Sequence, residues 1–338
     1  MFLTRAELPK RKKKAGPLVV ASTDVMLRIE ALMLRVFWLG SLCLGPERAS
    51  NAGAWLINRL SGPSSVTIRR IRRNIRIAMP DDDDAAVDRL ARQSLGNLGR
   101  SVAEYPHLKR IAGPELASFI EFVADVPEAR LTPTCEPAIF IGVHQANWEI
   151  LSSIAAPLGK PMTIVVSPMS NPYVNRLVGK ARPEVWVEQS EKNNATRSLI
   201  RCLQEGRSVG LLADQRFDGG QSVPFFGHDA KTAIGPAKMA IKFGCDLVPT
   251  RIERVGPVNF RITTFAAIRP DDAITGDQAK AIDMMQRVNR HFEAWIREKP
   301  GEWMCMKRRW PSQVYQSHQA HLQAAGAATE LSSPATAQ

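Results

Sequence analysis

From residue 137 onward the chain carries short β-rich runs, AIFIGV at 138–143, MTIVVS at 162–167, VWVE at 185–188, SVGLLA at 208–213 and CDLVPTRI at 245–252, separated by helix-like stretches. Such alternation predicts βαβ units and therefore a mostly parallel central sheet flanked by helices, an α/β fold over residues 137–311. The run VNFRITTF at 258–265 alternates apolar with polar residues and reads as an additional edge strand. An amphipathic helix over 276–299 then leads into the Trp-rich segment GEWMCMKRRWP.

Upstream of 137 the pattern is helical. Residues 1–22 read as a basic flexible lead containing Lys10, Arg11, Lys12, Lys13 and Lys14, and residues 23–136 as a helical N-terminal region with a membrane-facing helix. The apolar segment at 26–44 carries Arg28, Glu30 and Arg35. A spanning helix needs about 20 mostly apolar residues, and an arginine at mid-membrane costs about 3 kcal/mol. The segment is therefore expected to lie in the interface of an anionic membrane surface, which the basic lead would favour. VTIRRIRRNIRIAM at 66–79 reads as a strongly basic amphipathic helix, and the acidic run 81–84 as the start of another reaching about residue 105. Residues 312–338, rich in Gln, Ala, Ser and Thr, read as a disordered tail.

A net charge of +12 over 338 residues will attract anions, among them nucleic acid, lipid headgroups and acidic carrier proteins, without choosing between them. Five cysteines with no CxxC pair argue against a disulfide scaffold or a zinc site. GxGxxG and GxxxxGK[ST] phosphate loops are missing from the sequence, so nucleotide binding of the usual kinds is unsupported.

The chemistry concentrates in AIFIGVHQANWEILSSIA: a buried-strand pattern, His144 at its exit, then Asn147, Trp148 and Glu149 opening a helical pattern. Open α/β sheets form their sites at the C-terminal ends of strands. Residues five apart in a helix are about 140° apart, so His144 and Glu149 can meet only if His144 precedes the helix. With Asn147 as N-cap, Glu149 falls in the first turn, where the dipole favours its charge. Its carboxylate could then hold one imidazole nitrogen and leave the other to accept a proton from an attacking hydroxyl. Asp214 and Gln215 follow VGLLA as His144 follows IFIGV.

These residues resemble a family, the late acyltransferases of lipid A biosynthesis, within the lysophospholipid acyltransferase superfamily that carries an HxxxxD or HxxxxE motif. The resemblance rests on GVHQANWE, on SPMSNPYVNRLVGKAR with Asn171 and Arg182, and on LLADQRFDGG. It extends to the PFFG turn at 224–227, to TAIGPAKMA at 232–240, to EWMCMKRRW, and to the weaker RRNIRIAMP and NLGRSVAEY segments.

The resemblance implies an O-acyltransferase needing no cofactor and no metal, acting at the cytoplasmic face of an inner membrane. An acyl carrier protein thioester would be the donor and a hydroxyl of a lipid A precursor the acceptor, with His144 as general base and Glu149 orienting it. Arg182 would hold a phosphate or polarise the thioester carbonyl; Asp214, with Gln215, would pair with Arg182 or position substrate hydroxyls; Gly235 would bring backbone close to substrate. An acyl-coenzyme A donor with a lysophospholipid or glycolipid acceptor is the alternative. A non-enzymatic basic protein binding membrane or nucleic acid is the distant one, and no nucleic-acid partner is expected of the enzyme.

Overall fold

The structure, a computed structural model, is described for residues 17–63, 65–125, 137–159, 162–182, 187–191 and 195–317. Helices α1 (Pro17–Leu44), α2 (Pro46–Leu60), α3 (Val66–Ala78) and α4 (Asp84–Glu104) open it. Side-chain caps start two of them: Ser65 accepts from the Ile68 amide and Asp83 from that of Ala86. The isoleucines of α3, Ile68, Ile71, Ile75 and Ile77, are buried, as the amphipathic pattern predicts. Arg72 and Arg76 instead pair with Asp88 and Asp84 of α4. α2 and α4 cross at two glycines, so close that a Cβ on Gly53 would lie 2.3 Å from the Gly99 carbonyl oxygen.

The start of α1 at Pro17 takes helix into the expected basic lead, of which residues 1–16 lie outside the described residues. Its inner face buries Ala31, Leu34 and Trp38, the last stacked on Tyr105, while Val25, Met26, Ile29, Leu32, Met33, Val36 and Leu39 are exposed. Among the described residues no helix is long and apolar enough to cross a membrane.

Short helices α5 (Leu108–Ile111) and α6 (Leu116–Phe119) lead into β1 (Ile120–Ala124). There follow β2 (Ala138–Gly142), α7 (Ala155–Leu158), β3 (Met162–Val166), α8 (Pro172–Ala181), β4 (Val187–Glu191), α9 (Ala195–Gln204) and β5 (Val209–Leu212). A hairpin of β6 (Gln221–Phe225) and β7 (His228–Thr232) comes next, then α10 (Gly235–Phe243), β8 (Asp246–Arg254), β9 (Phe260–Thr264) and α11 (Asp277–Glu298). Phe226 and Gly227 at the hairpin tip both have positive φ, 49° and 72°, the geometry of a tight two-residue turn.

The seven-stranded sheet has the order β1-β9-β8-β2-β5-β3-β4, with β8 through β4 parallel and the β8–β9 pair antiparallel. The mostly parallel α/β fold is thus the one expected. β2 is buried along its whole length. Ile139 and Ile141 join a core with α3, α4, α10 and α11, whereas Ala138 and Phe140 join a second core with α1 and α8. Covering both faces explains why the run is continuously apolar rather than alternating.

Three expectations are corrected. β9 is not an edge strand, because β1 pairs with it in parallel from Ile120↔Phe260 onward. β1 itself lies in the stretch read as helical; five residues interrupted by Glu121 carry little apolar signal. The start of the expected disordered tail is ordered: residues 312–317 are helical, and the Tyr315 hydroxyl donates to Asn74 Oδ1 at 2.5 Å while accepting from the Arg309 amide at 3.0 Å. The rest of that tail lies outside the described residues, as do Cys135 and the first half of VWVE; the strand there covers Val187–Glu191.

Candidate active site

β2 and β5 run side by side with Gly142 opposite Leu212, so the chain leaves both strands together and His144 and Asp214 emerge as neighbours. His144 Nδ1–H donates to Asp214 Oδ1 at 2.6 Å, and the His144 amide donates to the same oxygen at 3.2 Å. The other carboxylate oxygen accepts from the Trp303 indole at 3.0 Å. Burial opposes the charge of Asp214, but His144 and Trp303 overcome this and hold its carboxyl below the ordinary value.

With Nδ1 protonated, His144 Nε2 is the acceptor, and the Gln215 amide donates to it at 3.4 Å. The imidazole side chain retains 17% exposure. Trp148 flanks the ring with centroids 5.8 Å apart. Behind the ring, the Met304 amide donates to the His144 carbonyl at 2.8 Å, tying the strand exit to the terminal EWMCMKRRW segment.

Glu149 has a different partner from the one expected. Asn147 does cap the turn, accepting from the Glu149 amide, and the turn over Trp148–Ile154 is a 3-10 helix. The carboxylate, however, receives Arg182 Nε at 2.7 Å and Nη2 at 2.9 Å, and the Tyr105 hydroxyl at 2.7 Å. Both side chains of this ion pair are buried. Burial opposes the Glu149 charge, and Arg182 outweighs it, leaving the carboxyl below its ordinary value. Burial also works against the Arg182 charge, and Glu149 outweighs that in turn, raising the guanidinium pKa. The expected pairings, Glu149 with His144 and Arg182 with Asp214, are therefore exchanged.

The reason is geometric. Parallel register sets Asp214 beside His144, whereas Glu149 is carried around a turn onto the face where α8 ends. Arg182 is the C-cap residue of α8, and Asn171 caps its start by accepting from the Tyr173 and Val174 amides. The Asn171 side chain also donates to the Leu27 carbonyl and to Glu30 on α1. Gly142 permits the turn to pack: a Cβ there would meet Leu151 at 2.5 Å and the Thr250 carbonyl at 2.9 Å.

Gly235 opens α10 and is exposed, with open space where a Cβ would stand. Arg309, in the basic run of EWMCMKRRW, is buried. It donates to the Lys231 carbonyl and Thr232 Oγ1 and lies over the Phe225 ring at 4.8 Å, so it fastens the hairpin. Sequence reasoning missed Tyr105 and Trp303 as site residues; each lies in a segment, NLGRSVAEY or EWMCMKRRW, that carried the family resemblance without a role attached.

A mostly parallel α/β sheet with a carboxylate-held histidine at the exit of a central strand is the place where open α/β folds form their sites. The chain belongs to the bacterial lipid A biosynthesis acyltransferase family, whose model matches residues 27–312. A phosphatidylinositol mannoside acyltransferase of Mycobacterium tuberculosis is 24% identical over 284 residues, covering 82% of this chain and 86% of that protein. Its counterpart from Mycolicibacterium smegmatis is 23% identical over 277 residues, covering 80% and 87%. The crystal structure of the 1-acyl-sn-glycerophosphate (LPA) acyltransferase PlsC from Thermotoga maritima is a distant likeness. It has 14% identity and a TM-score of 0.33, over 76% of this chain and 97% of that one. The protein is thus an acyltransferase, which sets aside the reading as a non-enzymatic binding protein.

Proposed function

We propose that the protein moves a fatty acyl chain from an acyl carrier protein thioester onto a hydroxyl of a lipid A precursor, with His144 as general base. The observation that carries this is the 2.6 Å bond from His144 Nδ1 to Asp214, which leaves Nε2 as the basic nitrogen. The acceptor hydroxyl displaces the Gln215 amide from Nε2, gives up its proton there, and attacks the thioester carbonyl. Collapse of the tetrahedral intermediate expels the thiolate, which takes that proton from the imidazolium. Asp214 orients the ring, and Glu149 with Arg182 and Tyr105 fixes the far end of the loop that bears it.

A second acceptor class has a specific observation in its favour: the curated relatives are phosphatidylinositol mannoside acyltransferases by name. A glycolipid acceptor with a coenzyme A donor uses the same steps. The exposed apolar face of α1, set against a net charge of +12, supports work at the cytoplasmic face of an anionic inner membrane. The deciding experiment supplies the protein with labelled acyl carrier and acyl-coenzyme A thioesters, a tetra-acyl lipid A precursor and a glycolipid, and identifies products by mass. Turnover undiminished in His144→Ala would defeat the general-base assignment.

A further inference from the structure

Between His144 and Glu149 the chain passes through Ala146, a non-glycine residue at φ 47°, a left-handed conformation uncommon for alanine. Something must hold it there. Three residues on one face of α4, at the i, i+4 and i+7 spacing of a helical stripe, grip this loop. Asn97 Nδ2 donates to the Ala146 carbonyl at 2.8 Å and to the Glu302 carbonyl at 2.9 Å, and Ser101 Oγ reaches the Ala146 carbonyl at 3.2 Å. Asn147 Nδ2 donates to Glu104 Oε2 at 2.8 Å. Glu104 is fully buried and is itself fixed by Arg254, through Nη1 at 2.8 Å and Nη2 at 3.1 Å, and by the Ser50 hydroxyl at 2.6 Å. From the other side, the Gln145 amide donates to the carbonyls of Trp295 and Lys299.

We propose that Asn97, Ser101 and Glu104 form a positioning strip that acts through Ala146 and Asn147 to set His144 and Glu149 in register with each other. This rests on His144 being the base. None of the three hydrogen-bonds to His144, so they are positioning residues rather than catalytic ones. Their effect belongs in turnover, because small misplacements of a reacting group cost rate far more than they cost binding.

The test uses the full-length protein with Asn97→Ala, Ser101→Ala and Glu104→Gln, of which Ser101→Ala is the mildest because alanine suits a helix interior. Steady-state rates with both substrates are read beside hydrogen exchange of the peptide over 143–149. The expected result is a kcat loss of about tenfold or more for Asn97→Ala and about threefold for Ser101→Ala, with both KM values within about twofold. Exchange should quicken at 143–149 while β2 and β5 keep their protection. Wild-type kcat in both alanine variants overturns the proposal. So does a kcat loss accompanied by faster exchange throughout β2 and β5, which marks a general structural role. His144→Ala, run alongside, separates the two ideas: activity surviving that substitution defeats the base assignment, whereas an inactive His144→Ala beside fully active α4 variants defeats positioning alone.

Discussion

Asp214 stands to His144 as Leu212 stands to Gly142: the β2–β5 register is continued past the strand ends, and a 2.6 Å hydrogen bond closes it. The sheet itself thus fixes the partner of the imidazole, because neither residue can shift without its strand.

Replacing Asp214 with asparagine should lower kcat by about 10² to 10⁴, the range for disabling a general base. Three donors converge on this carboxylate, His144 Nδ1–H, the His144 amide and the Trp303 indole. An amide offers one acceptor oxygen to them and a clashing donor besides. Initial rates on protein of confirmed fold test this; an Asp214→Asn rate within about threefold of wild type would return the orienting role to another group.

Arg182→Ala should act mainly on stability. It leaves the Glu149 carboxylate buried without its counter-ion, a change that costs about 3–5 kcal/mol in comparable pairs. Denaturant unfolding measures the loss directly, and a cost below about 1 kcal/mol would mean that the pair is solvated.

Acid should unfold the protein partly through the same carboxylates. Glu149 and Asp214 both have native pKa values lowered from the ordinary 4.5 and 3.8, so the unfolded chain binds protons more readily than the native one. Their contribution is complete above those ordinary values and is lost as pH falls through the lowered native ones. Melting temperature should therefore drop steeply below about pH 4, and less steeply in Glu149→Gln. An equal slope in the two proteins would remove Glu149 from the account.

No acyl-enzyme should form. Cys305 is buried and its thiol pKa is raised, chiefly by burial, so it offers no thiolate near the site. Incubation with labelled acyl donor alone, acid quench and intact mass should find unmodified protein. A stoichiometric adduct discharged by added lipid would move the chemistry onto a protein nucleophile.

Membrane association should fall when Leu32, Val36 and Leu39 on the exposed face of α1 are changed to serine, with the fold kept. Deleting the helix is the poorer test, because its other face covers Tyr105 through Trp38. Cosedimentation with anionic vesicles reads the effect, and undiminished binding of the triple variant would relocate the contact surface.

Much of the fold was legible because its signals are local. The acidic run at 81–84 starts α4, and the isoleucines of α3 and the apolar run of β2 announce their own burial. His144, Glu149, Asp214 and Arg182 were legible as residues, since polar groups stand out at the ends of apolar runs. Their pairing was not: it depends on which strand lies beside β2, and β5 does so across two intervening strands of sequence. Trp303 and Tyr105 were hidden for the same reason, since each reaches its carboxylate from an element remote in the chain.

The Trp303 bond also orders events during synthesis. A nascent chain halted before residue 303 already carries His144, Asp214, Glu149 and Arg182, yet lacks the indole for Asp214 Oδ2 and the Met304 amide for the His144 carbonyl. The segment that supplies these two bonds is thus made late among the described residues, after every other element that lines the site.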